Sequence, residues 1–95
     1  MLVWVIYDIS DDGIRGKVAK ICKNYGLFRV QKSAFLGDLN RNESDSLALE
    51  CEVLIDETDS VYVFPMCEDC FEKIELIGEG FDRELVSGVV ITKVF

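Results

Sequence analysis

The sequence predicts an α+β fold of ferredoxin-like β-α-β-β-α-β order with an extra C-terminal strand, and three observations carry that prediction. Leu2–Tyr7 is an unbroken apolar, β-branched and aromatic run, the pattern of a central strand covered on both faces. Two later segments repeat apolar residues at helical spacing, each behind a polar cluster able to cap a helix. Between them lie two short β-prone runs, and a further strand follows the second helix. That series is the split β-α-β arrangement, with both helices on one face of an antiparallel sheet.

Each element follows from local chemistry. After the first strand, Ser10-Asp11-Asp12 reads as a helix start, with Ser10 as cap and two acids at the positive end of the dipole. Ile14, Val18, Ile21, Cys22 and Tyr25 form the apolar stripe, Arg15, Lys17, Lys20 and Lys23 the polar face, and Gly26 the stop. Phe28–Gln31 and Ser33–Leu36 read as two strands with a bend or bulge near Lys32. Asn42–Asp45 opens the second helix, whose stripe is Leu47, Cys51, Leu54 and Ile55. Ser60–Phe64 is a strand stopped by Pro65. Cys67–Lys73 suits a short helical turn, Gly78–Gly88 a turn-rich connection, and Val89–Phe95 a last strand.

Ninety-five residues, 49% hydrophobic and 29% charged with one proline, suit one domain spanning 1–95. Histidine is absent, which excludes Ser-His-Asp and Cys-His nucleophile systems and Cys₂His₂ zinc sites. The longest apolar run is far shorter than the ~20 residues of a membrane span and lacks the basic start of a signal peptide, so a cytoplasmic chain with reduced thiols is expected. The net charge of −8 argues against purely electrostatic nucleic-acid binding. Yet residues 1–41 hold seven Lys and Arg against four acids, and residues 42–95 three against fourteen. Such asymmetry suits a localised binding surface, although solvated helix faces account for it equally.

Asp8 ends the first strand, where the sheet rim holds a side chain rigidly. Mg²⁺ takes one or two carboxylates together with water and phosphate oxygens, so a twofold pairing of Asp8 with its copy would make a site for phosphodiester chemistry. A simple hydrogen-bonding role in the strand–helix turn is the alternative. Arg15, Lys17 and Arg29 are candidate phosphate contacts, and Phe35 a candidate for stacking on a base, with solvation and core packing the competing readings. Cys67-x-x-Cys70 is one CxxC, short of the four ligands of a structural zinc; a site shared across a dimer, a redox pair and ordinary thiols all stay open. A sheet-to-sheet homodimer would cover the apolar face bearing Trp4, Tyr62 and Phe64, and the final strand could add to the partner's edge.

Tyr7-Asp8-Ile9-Ser10-Asp11-Asp12, Arg15, the run Gly26–Leu39 and the stretch Asp59–Met66 with Cys67-x-x-Cys70 and Ile77-Gly78 closely resemble the small CRISPR-associated endoribonuclease and spacer-acquisition family. The resemblance spans essentially the whole chain. It implies a ferredoxin-like homodimer whose strand-end Asp8 faces its mate across the dimer axis and binds a divalent metal. It further implies metal-dependent cleavage of single-stranded RNA or duplex DNA, with Arg15, Arg29 and Phe35 at the family's basic and aromatic positions. In spacer acquisition such a dimer bridges two dimers of the CRISPR integrase and holds the incoming DNA. The expectation is therefore a Mg²⁺-dependent endonuclease of CRISPR adaptation, with Asp8, Arg15 and Arg29 as catalytic residues and the two arginines as electrostatic helpers at the phosphate. A non-catalytic adaptor of that complex and a toxin-like ribonuclease are the alternatives.

Overall fold

In the computed structural model, which describes the backbone of residues 1–94 and side chains through Gly88, the predicted order of strands and helices holds as far as the fourth strand. The elements are β1 (Leu2–Asp8), α1 (Asp12–Asn24), β2 (Phe28–Gln31), β3 (Ala34–Asp38), α2 (Arg41–Leu54), β4 (Ser60–Met66), α3 (Glu68–Glu72) and α4 (Arg83–Val94). The sheet runs β2-β3-β1-β4 with every neighbouring pair antiparallel. β1 is thus central, as its two-sided apolarity demands.

Alternation along β1 divides the molecule. Val3, Val5 and Tyr7 face one way and join Val18, Cys22, Phe35, Leu47 and Cys51 in a core beneath α1 and α2. Leu2 and Trp4 face the other way and join Val30, Leu36, Phe71 and Val86. Removing such a side chain from water contributes roughly 1.5–3 kcal/mol, so both faces of β1 anchor the fold.

The helix starts are set by polar side chains. Asp11 caps α1 by accepting the Ile14 N–H at 2.8 Å. Ser10, the expected cap, instead sends its backbone N–H to Asp59 Oδ1 at 3.4 Å, joining the β1–α1 turn to the loop before β4. A carboxylate carries full charge at the positive end of the helix, which favours Asp11 over the neutral hydroxyl. α2 starts one residue earlier than expected because Asn40 and Glu43 form a reciprocal capping box, at 2.8 and 3.0 Å.

Two glycines are required by geometry. Gly26 has φ +82°, which ends α1 and turns the chain into β2. Gly37 lies against Leu27, where an added Cβ would come within 2.6 Å of a side-chain carbon and 3.2 Å of the Leu27 Cα. Lys32 and Ser33 form the turn between β2 and β3, and the register shifts between Arg29 and Gln31 rather than at Lys32. Pro65 does not stop β4, which continues to Met66. β4 is an edge strand, so a proline nitrogen directed away from β1 costs no ladder bond.

The expected final strand is the main correction. Residues 83–94 are helix α4, and Phe95 lies outside the described residues. The segment is used to cover the second face: Asp82 donates its N–H to the Val30 carbonyl at 2.6 Å, and Val86 packs with Val30, Ala34 and Leu36. The segment lies over the sheet face, where a helix closes its backbone bonds within itself. The second face is consequently covered in part by the chain's own α3 and α4, with Phe71 stacked on Trp4 at 6.1 Å. Among the described residues, Ile6, Tyr62 and Phe64 keep large exposures beside β4, 38%, 51% and 46%, and Phe28, in register with Leu36 on the opposite edge strand β2, keeps 43%.

Tyr7 carries a fully buried hydroxyl with no hydrogen-bond partner among the described residues. An unpaired buried donor costs about 1–3 kcal/mol. Tyr7→Phe is therefore expected to raise stability by about 1 kcal/mol, read as a higher urea midpoint with an unchanged slope.

Candidate active site

Asp8 is the last residue of β1 and lies opposite Ser60 of β4. The period of two puts it on the same face as Leu2, Trp4 and Ile6, at the rim of the exposed patch Ile6–Tyr62–Phe64. Its carboxylate is exposed, and no hydrogen bond or ion pair engages it among the described residues. The simple reading of Asp8 as a turn-stabilising acceptor thus finds no partner in the geometry. Nor do the described residues contain any group of three or more Cys, Asp or Glu side chains arranged to hold a metal ion. One chain supplies one free, hard oxygen donor at this rim, which fits half of a site for a hard cation such as Mg²⁺.

Arg15 is held at the same end of the sheet. Its guanidinium donates to the Ile9 carbonyl at 3.1 Å and pairs with Asp12. Ile9 belongs to the β1–α1 turn that follows Asp8 and Asp12 opens α1, so the charge is fixed beside the rim with part of its surface open. Lys17 is exposed one half-turn further along α1 and makes no ion pair among the described residues.

Arg29 is not brought to Asp8. It pairs in register with Phe35, which in turn pairs with Val5. Arg29 therefore lies two strands away, at the level of the middle of β1 and on the helix-covered face. Its guanidinium sits over the Phe35 ring, 5.1 Å from the centroid, a cation–π contact worth ~0.5–1 kcal/mol at an exposed site.

Phe35 itself is 0% exposed and packs against Tyr7 at 6.3 Å. No face of its ring is open to a base, so the expected stacking role is corrected to one of core packing and support for Arg29. β3 is an inner strand beneath α1 and α2, and its inward side chains cannot reach a ligand. Two features escaped the sequence reading. Ser60 faces Asp8 across the strand pair, and Asp59 ties the neighbouring loop to Ser10. Only strand register could reveal either, since both lie about fifty positions away in the chain.

These roles separate in a denaturation experiment. Phe35→Ala is expected to cost about 3–5 kcal/mol of stability through a core cavity. Arg29→Ala is expected to cost no more than ~1 kcal/mol, both measured by urea unfolding.

Comparison with known proteins bears on this geometry. The family model for CRISPR associated protein Cas2 matches residues 1–74. A protein of Archaeoglobus fulgidus named CRISPR-associated endoribonuclease Cas2 1 is 45% identical over 71 residues, covering 74% of this chain and 76% of its own length. A protein of Korarchaeum cryptofilum named CRISPR-associated endoribonuclease Cas2 is 42% identical over 82 residues, covering 82% and 85%. Among solved structures, Streptococcus pyogenes Cas2 superposes with a TM-score of 0.68 at 28% identity, covering 82% of this chain and all of that one. The matched residues take in β1 with Asp8, the turn that holds Arg15, and the whole four-stranded sheet, and on these grounds the chain belongs to the CRISPR-associated Cas2 family.

Proposed function

We propose that this chain acts in CRISPR spacer acquisition as a homodimer with a divalent-metal-dependent endonuclease site, formed where Asp8 of one copy meets Asp8 of the other. One observation carries the reading: the unengaged Asp8 carboxylate lies at the rim of the exposed apolar patch that Ile6, Tyr62 and Phe64 form on the second sheet face. The names of the curated relatives, endoribonucleases by description, support phosphodiester cleavage of RNA. Duplex DNA is the other polymer of the same backbone chemistry.

The dimer follows from apolar area. Tyr62 and Phe64 stack on one another at 5.9 Å, nearly parallel, and with Ile6 present a flat surface to water. A second copy covering that surface about a twofold axis is isologous, and with that axis running along β1 the two rims and their two carboxylates come to the same end of the interface. Two carboxylates would hold Mg²⁺ while leaving positions for water and a phosphate oxygen.

When bound, the cation supplies water of lowered pKa and neutralises charge developing on the scissile phosphate. The chain's own residues do the rest. Asp8 orients the attacking water by accepting its proton-bearing side. Arg15, held by Ile9 and Asp12, keeps a fixed positive charge at the rim with no reorganisation required during reaction. Arg29 and Lys17 contact phosphates away from the scissile bond, and this distribution suits a strand laid across the domain rather than a closed pocket.

A second reading is favoured by charge. With a net charge of −8 and fourteen acids in residues 42–95, free nucleic acid is repelled by most of the surface. The dimer then serves as an adaptor between integrase dimers, whose own basic surfaces grip the DNA.

Asp8→Asn is expected to reduce Mg²⁺-dependent cleavage of a labelled single-stranded RNA to background, and Arg15→Ala to reduce it on the order of a hundredfold. Cleavage by pure Asp8→Asn protein at the wild-type rate removes the catalytic assignment and leaves the adaptor.

Tyr62→Asp places a charge in the exposed patch without touching either core. It is expected to yield monomers by light scattering and to lose cleavage in parallel, although Asp8 is intact. A monomer that still cleaves removes the shared site.

A further inference from the structure

The four cysteines are of two kinds. Cys22 and Cys51 are buried in the core beneath α1 and α2, where burial pushes their thiols up to about 12 and about 11. Cys67 and Cys70 are exposed. Cys67 is the residue that begins α3 and Cys70 completes its first turn, so the two side chains lie on one side of that turn. Both line an apolar groove of about 500 Å³ walled by Trp4, Phe64, Met66 and Phe81.

Within the pair the thiols are unequal. The pull of the Cys70 backbone N–H, and then of its thiol, holds the Cys67 thiol below its ordinary value, while hydrogen bonding to Cys67 raises Cys70. One sulfur is biased to the attacking thiolate and its neighbour retains the proton, the division of labour required for dithiol exchange. Both thiols are exposed, so a disulfide-bearing molecule can reach them directly, while the groove shares Ile6 and Phe64 with the patch proposed to pair with a second copy. Two sulfur ligands alone cannot complete a four-coordinate zinc, and no further Cys, Asp or Glu joins them among the described residues.

We propose that Cys67 and Cys70 form a redox-active dithiol that exchanges with small-molecule disulfides of the glutathione class and closes an intramolecular disulfide. The Cys67 thiolate, its proton released to solvent, attacks one sulfur of the disulfide; a mixed disulfide forms and one glutathione thiolate leaves and is protonated. Cys70 then gives up its proton and attacks the Cys67 sulfur, forming the Cys67–Cys70 bond and expelling the second glutathione. Two electrons pass from the two cysteines to one glutathione disulfide, which leaves as two glutathione thiols. The new bond ties the end of β4 to α3 next to Phe71, the residue stacked on Trp4. Oxidation therefore fixes the first turn of α3 where the chain leaves β4.

The full chain, reduced and then equilibrated over a range of glutathione to glutathione disulfide ratios, tests this by differential alkylation and peptide mass spectrometry. The expected result is the loss of two free thiols per chain, both in the segment 67–70, while Cys22 and Cys51 stay reduced and react only after unfolding. Cys70→Ser is expected to stop at a glutathione adduct on Cys67, and Cys67→Ser to form at least tenfold less adduct in the same time. Both serine variants replace exposed side chains, and circular dichroism checks that they fold. A pair that stays reduced at the most oxidising ratio, equal adduct on the two variants, or zinc co-purifying with the pair overturns the proposal. RNA cleavage by the reduced protein is read separately, so its loss or survival concerns the Asp8 site alone.

Discussion

The two-residue period of β1 is the constraint on which the rest of the molecule depends. A central strand buried on both faces must be apolar at every position, and its side chains are then dealt alternately to two cores. Val3, Val5 and Tyr7 hold α1 and α2, while Leu2 and Trp4 hold α3 and α4. The first polar position after this run is Asp8, and the alternation sends it to the face away from α1 and α2. A shift of one residue in register would turn Asp8 under the helices and expose Tyr7 in its place. The location of the carboxylate is therefore a consequence of core packing.

That face is unevenly finished. Phe71 and Val86 cover Trp4, Leu36 and their neighbours near β2 and β3, whereas Ile6, Tyr62 and Phe64 near β4 remain open. A tail that covers half of a sheet and leaves the half beside Asp8 bare is suited to pairing with another copy. The same tail carries both exposed thiols at the boundary between the covered and open halves. The proposed assembly surface, the Asp8 carboxylate and the exposed thiol pair thus lie along one side of the second face.

The positive charges are organised by different means. Arg15 is pinned by the Ile9 carbonyl after β1 and the Asp12 carboxylate at the start of α1, and Arg29 of β2 by the Phe35 ring of β3. Holding a guanidinium in place lowers the entropy lost when it meets a phosphate. The two are nevertheless set apart, Arg15 at the end of β1 beside Ile9 and Arg29 two strands away at the level of Val5, so a single chain does not converge them on one reacting atom.

Much of this was legible from local sequence. The apolar run of β1, the helical stripes, the stop at Gly26 and the cap-forming clusters state their structures through steric and hydrogen-bonding rules acting over a few residues. Membership of the Cas2 family and the candidacy of Asp8 and Arg15 were readable for the same reason, since both sit in one short motif. Three matters were decided only by tertiary structure. Phe35 looks the same in sequence whether it stacks on a base or fills a core, and its place on an inner strand beneath two helices made it core. Arg29 could not be separated from Asp8 until strand order put β3 between β2 and β1. The β-branched segment Val89–Phe95 reads as a strand, yet residues 83–94 form a helix, which supplies its own hydrogen bonds and lays Val86 over Val30 and Leu36. Local chemistry determines what a segment can form; which option is taken depends on the surfaces that distant residues leave open.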